Sequence, residues 1–115
     1  MKKFYKWTDT AIMFWHQKAL PCITGVMQLE KIEEELREVR KEVGKSIERQ
    51  IEEWADVSIA CAAGYRRFRL EVAYLILEYI KTRDDYHEIM VARDKKMDIN
   101  LTRTWEGNHH VEKTA

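Results

Sequence analysis

Apolar residues recur along this chain at helical spacing, and no segment alternates at a strand's period of two between hairpin turns. In one stretch Leu29, Ile32, Leu36, Val39 and Val43 step by 3, 4, 3, 4, which draws a single narrow seam along a helix from about Thr24 or Val26 to Val43. Gly44 ends that helix in C-cap fashion and Ser46 caps the next, although Arg49 stands where a complete capping box would have Glu. The third helix continues with Ile47, Ile51, Trp54, Ser58, Cys61 and Tyr65, and it is apolar on nearly every side from Val57 to Ala63. So short a link makes the two helices antiparallel neighbours.

Upstream, the aromatic segment Phe4 to Leu20 is closed by a break at Pro21 and Gly25. Downstream, after Gly64 and a basic patch, Val72, Leu75, Ile76, Tyr79 and Ile80 fit a fourth helix. Thr82 to Asp85 offer a break and N-caps for a fifth, from Tyr86 to about Asp98. The pattern predicts one all-α domain, 1-115, built as a four- to five-helix bundle, with residues 106-115 a frayed tail that has little to bury. The many exposed-looking apolar residues of 68 to 80 ask for more partner surface than one protomer offers, so a homodimer or homotetramer is expected.

Composition narrows the function classes. Lys plus Arg and Asp plus Glu number 20 each, which leaves no global field to attract nucleic acid or an anionic membrane. No stretch has the length of a signal peptide or a membrane span. Cys22 and Cys61 form no ligand-spaced pair, so a reducing, cytoplasmic setting is the default and Cys61 reads as a small core residue.

Charge is nevertheless unevenly placed, with glutamates crowding residues 30 to 53. Glu35 and Glu38 in EELRE, then Glu53 and Asp56 in EWAD, are two pairs spaced i, i+3, and such side chains lie one turn apart, about 5–6 Å between Cβ atoms. A hairpin turning near Gly44 brings the two pairs to comparable heights. Four carboxylates held together oppose one another's ionisation, and a hard divalent cation relieves that. Metal-dependent phosphate chemistry is the implication.

With those residues in view, the chain resembles the MazG-like all-α nucleoside triphosphate pyrophosphohydrolases, whose signature is EExxE followed by ExxD across a short hairpin. Here the elements are Glu34-Glu35-Leu36-Arg37-Glu38 and Glu53-Trp54-Ala55-Asp56. A downstream Lys-x-x-x-Asn-x-x-Arg-x-Trp is matched by Lys96, Asn100, Arg103 and Trp105. The resemblance covers roughly residues 15 to 105 and is weaker over 65 to 85. It implies cleavage of a nucleoside or deoxynucleoside triphosphate between the α and β phosphates, giving monophosphate and pyrophosphate. It also implies Mg2+, or Mn2+, on Glu35, Glu38, Glu53 and Asp56, with Glu34 or Glu38 taking the proton of the attacking water. Lys96, Asn100 and Arg103 would approach the triphosphate. Related activities on dUTP, dCTP or phosphoribosyl-ATP belong to the same superfamily.

Other readings compete. Glutamates on a helix are commonly solvated surface, and a non-catalytic helical oligomerisation module would pair the acidic strip with Lys31, Arg37, Lys41 and Arg49. A di-iron bundle needs Glu-x-x-His on two helices, whereas the chain has it once, Glu106 to His109. Gly44-Lys45-Ser46 imitates the end of a P-loop, but Val39 stands where its first Gly is required. Trp54 points to the seam, so Trp15 and Phe14 are the better candidates to stack on a base. His16 and His87 read as structural or surface groups, and Arg66, Arg67 and Arg69 as an exposed cluster.

Overall fold

A computed structural model describes residues 4–103. The described chain is all helical: α1 (Asp9–Ala19), α2 (Gly25–Glu42), α3 (Ile47–Phe68), α4 (Glu71–Lys81) and α5 (Tyr86–Thr102), with no strand among these residues. Trp105, the Glu106 to His109 pair, His110 and the expected tail lie outside the described residues. No helix among those described is long and apolar enough to cross a membrane.

The longest helix, α3, is the hub against which α1, α2, α4 and α5 all pack. Its sequence explains that role, because small and apolar residues from Val57 to Gly64 leave no polar face to turn to water. Ala55, Val57, Cys61, Ala62 and Ala63 are completely buried, and Ile32 and Val39 of α2 join Ala55, Val57 and Cys61 in one cluster with Ala73, Leu77 and Ile80 of α4 and Ile89 of α5. A smaller cluster joins Ile12, Ala62 and Met97 under Trp7 and Trp15.

Helix ends follow local chemistry. The hydroxyls of Thr8, Thr24 and Ser46 accept from the amides of Ala11, Met27 and Arg49, three side-chain N-caps. Gly44 adopts φ 80°, the left-handed conformation that turns the chain after α2. Asp85 occupies the N-cap position of α5 but makes no capping bond; its carboxylate instead receives both Nε and Nη2 of Arg83 at 2.9 and 3.1 Å. α5 also runs one turn beyond the expected Asp98, to Thr102.

Two further departures concern α3. The helix passes through Gly64 without a break, because Gly64 lies where neighbours press closest. A Cβ there would stand 2.9 Å from Ile32 Cδ1 and 3.3 Å from Ala73 Cβ. The basic patch is therefore helical through Phe68, with Arg69 as the left-handed C-cap at φ 58°, and it is not uniformly exposed. Arg66 and Arg69 face solvent, but the half-buried Arg67 donates to the carbonyls of Leu20 and Pro21, each at 2.9 Å, and to His16 Nδ1 at 2.8 Å. Since guanidinium only donates, His16 Nδ1 is an acceptor and the proton of this buried imidazole sits on Nε2. Arg67 thus closes the α1–α2 link onto α3.

Ahead of α1, residues 5 to 7 are strapped along α5. The amides of Lys6 and Trp7 donate to the two oxygens of Asp94 at 2.9 Å each, and Trp7 Nε1 donates to Asp98 at 3.0 Å. Arg93, nearly buried, donates to Trp7 O at 2.7 Å, Ser58 Oγ at 3.0 Å and Asp9 Oδ1 at 2.7 Å. These bonds lock the start of the chain, α3 and α5 together.

Candidate metal and nucleotide site

The α2–α3 hairpin presents its acids at the rim of the core. Trp54, Ala55, Val57 and Ser58 turn inward on α3, which leaves Glu53 and Asp56 on the side facing α2, and Ile32 and Val39 bury the adjoining seam. Glu35, Glu53 and Asp56 each offer an oxygen within 4.8 Å of the other two. All three are half-buried. Glu38, the fourth acid expected from the sequence, is not in this group: one turn nearer Gly44, its Oε2 is held by Lys41 Nζ at 2.9 Å. Its charge still reaches Glu53.

Burial raises the pKa of all three carboxyls, because a desolvated carboxylate is costly in its charged form. At Glu35 the Lys31 ammonium opposes that rise and the Asp56 charge adds to it. At Glu53 the charges of Asp56 and Glu38 add to it. At Asp56, Lys96 opposes by charge and hydrogen bond. Two lysines therefore serve as internal counterions: Lys31 Nζ lies 3.3 Å from Glu35 Oε2 and from Glu34 Oε1, and Lys96 Nζ, reaching over from α5, lies 3.3 Å from Asp56 Oδ1. Burial alone would depress Lys31, but Glu35 and Glu34 outweigh it and hold its ammonium above the usual range.

Beside the acids lies a cleft of about 530 Å³. Trp15, Leu20, Ile23, Met27, Ile59 and Ala60 give it an apolar wall, and Lys31, Glu34, Glu35, Asp56 and Arg103, with the amide of Asn100, a polar one. Trp15, Asn100 and Arg103 reach it from α1, α5 and the C-cap of α5, so residues far apart in sequence converge on one space. Phe14, by contrast, is 61% exposed and does not line the cleft. Lys96 sits beside the cleft on Asp56, and Glu53 completes the acidic group without lining it.

The donor set is all oxygen, which suits a hard cation. Magnesium at roughly 2.0–2.1 Å from each ligand sets neighbouring oxygens about 3 Å apart and opposite ones about 4 Å. The three carboxylate oxygens, within 4.8 Å of one another, are close to that spacing, and Glu35 and Asp56 are each paired with a lysine that a cation would displace. Sequence reasoning missed Gln28, which is buried and lines the cleft. The signal was present, since a polar residue four positions before Ile32 continues the apolar seam. Comparison with protein-family models, with curated proteins and with solved structures gives no match.

Proposed function

We propose that the protein is a magnesium-dependent hydrolase of nucleoside or deoxynucleoside triphosphates that yields the monophosphate and pyrophosphate. One observation carries this reading. Three half-buried carboxylates from two helices meet at the edge of a nucleotide-sized cleft whose other walls supply an indole, an amide and cations. Pockets of this size, with an apolar lining and a few convergent polar groups, are where small ligands bind.

In this reading Glu35, Glu53 and Asp56 hold the cation, with Glu38 able to join by leaving Lys41. When bound, Mg2+, or Mn2+ in its place, neutralises phosphate oxygens and acidifies water in its shell. Lys31 and Lys96, released from Glu35 and Asp56, turn their ammonium groups to the triphosphate, and Asn100 and Arg103 orient it. Glu34, on the cleft wall and held among the described residues by Lys31, accepts the proton of the attacking water, with Glu38 as the other candidate. The water oxygen forms one P–O bond as the α–β bridging P–O bond breaks, and the bridging oxygen leaves with the electron pair. Trp15 offers a face to the base.

The test is a panel of triphosphates with magnesium, assayed for pyrophosphate. Asp56→Ala removes a carboxylate from the acidic group and should lower turnover by at least about a hundredfold while the far-ultraviolet circular dichroism stays helical. Full activity in that variant, or release of orthophosphate by the native protein, would sink the assignment.

A second reading, a non-catalytic helical interaction module, is favoured by the ion pairs of Lys31, Lys41 and Arg49 with Glu35, Glu38 and Glu42. Magnesium separates the two, because a ligand of the native state raises the melting temperature and an acidic strip satisfied by lysines gives it nothing to bind. The reading also includes self-association through the face of α4 on which Val72, Leu75 and Tyr79 are exposed at helical spacing. Leu75→Glu should shift the sedimentation coefficient to that of a monomer.

A further inference from the structure

Gln28 is a polar side chain that the proposed hydrolysis leaves unused. It lines the cleft from α2 and is 3% exposed. Its Nε2 donates to Ala60 O at 2.8 Å, and that bond fixes which end of the amide is which, since a carbonyl oxygen can only accept. Oε1 is therefore the opposite terminus, and no hydrogen bond from a described residue reaches it. It is not sealed off either: among the described residues the buried side-chain polar atom without a partner is Arg93 Nε, not Gln28 Oε1. Because Gln28 lines the cleft, that acceptor is what the residue has left to offer an occupant. A positioned amide oxygen, held by a neighbouring helix and left for an occupant, is a device for recognising an N–H group.

Its place along α2 says which part of the occupant it meets. Lys31 and Glu35 follow on the same face of α2, one and two turns further on, so Glu35 lies about 10 Å along the helix axis from Gln28. That is the scale on which a nucleotide separates the edge of its base from its phosphates. Trp15, Ile23, Met27 and Ile59 share the cleft with the amide and supply apolar contact for a planar ring.

We propose that Gln28 is the specificity-determining residue of the cleft, its Oε1 accepting a hydrogen bond from an N–H on the edge of a nucleobase. The inference rests on the nucleotide reading given above and adds the group that reads the base. It requires a base with an amine or imide N–H, and it predicts rejection of an analogue in which that hydrogen is replaced by methyl.

The experiment is calorimetric binding of the four ribonucleoside monophosphates to the wild type and to Gln28→Met, which keeps the side-chain length and loses the acceptor. The wild type is expected to prefer one base by at least about tenfold, and the variant to lose that preference. In the wild type, N-methylation of the preferred base should weaken binding by about tenfold as well, a result independent of how well the variant folds. Equal weakening of all four nucleotides in the variant, unchanged affinities, or undiminished binding of the methylated base would overturn the proposal. Triphosphate hydrolysis measured alongside separates the two claims. Base-selective binding without hydrolysis overturns the hydrolase reading alone, and hydrolysis whose base ranking survives Gln28→Met overturns the role of Gln28 alone.

Discussion

Gly64 and Cys61 illustrate how one position on a crowded helix acquires its identity. Ile32 Cδ1, 2.9 Å from where a Cβ would begin, can rotate aside, but Ala73 Cβ at 3.3 Å is fixed to α4, so the further methyls of Gly64→Val overpack the site, which costs about 1–3 kcal/mol. Thermal unfolding should show the loss directly. Burial pushes the Cys61 thiol up to about 12, whereas Cys22 is exposed. One thiol per chain should therefore react with an aromatic disulfide reagent at neutral pH in the native protein, and two after denaturation. The sequence already marked Cys61 as core, because its run IACAAG has no polar face. It could not mark Gly64 as a contact: a glycine forced by a neighbouring side chain and a glycine that breaks a helix look alike until the neighbour is placed.

At the level of elements, the hairpin of α2 and α3 was legible because its information is local. Seam spacing, Thr24, Gly44 and Ser46 set where the helices begin and stop, and the count of residues across the turn sets which acids face each other. What lies between distant elements was not. Arg93 and Asp9 are 84 residues apart, and nothing in the spacing of either announces that their side chains meet at 2.7 Å. Arg93 is nearly buried, so Asp9→Ala leaves a charged group without its carboxylate and should cost about 3 kcal/mol, read as a lower urea midpoint. Arg67 shows the same limit, since a cluster of basic residues suggests solvent and only the fold reveals the carbonyls of Leu20 and Pro21. Glu38 departs for a local reason instead: Lys41, three residues on, pairs with it, whereas the acids across the hairpin repel it.

Over the whole molecule, the acidic group couples stability to pH and to cations. Glu35, Glu53 and Asp56 have folded pKa values above their ordinary ones, so between the ordinary and raised values the native protein holds more protons than the unfolded chain. Their contribution to stability is fully present below the ordinary carboxylate values and is lost as pH rises through the raised ones. In metal-free buffer the wild type should therefore gain melting temperature as pH falls through the raised carboxyl values, and Glu35→Gln should be more stable than the wild type above them, with a flatter profile. Magnesium, which requires the ionised groups, should raise the melting temperature of the wild type most at the alkaline end of that window and raise that of Glu35→Gln far less. A wild type indifferent to magnesium at every pH would contradict the cation-binding role. The packing of four helices around α3 sets this behaviour, because Glu35 on an isolated α2, or Glu53 and Asp56 on an isolated α3, would be fully hydrated and ordinary.

The strap formed by residues 5 to 7 bears on the cleft from a distance. Asp94 gathers the amides of Lys6 and Trp7 only two positions before Lys96, and Asp98 receives the Trp7 indole two positions after it. Trimming the chain up to Thr8 would remove no acid, cation or ring from the cleft, yet it would untether the helix that carries Lys96 and Asn100. Loss of catalysis in such a shortened protein, with its magnesium response intact, would trace the geometry of the phosphate end back to the opening residues of the chain.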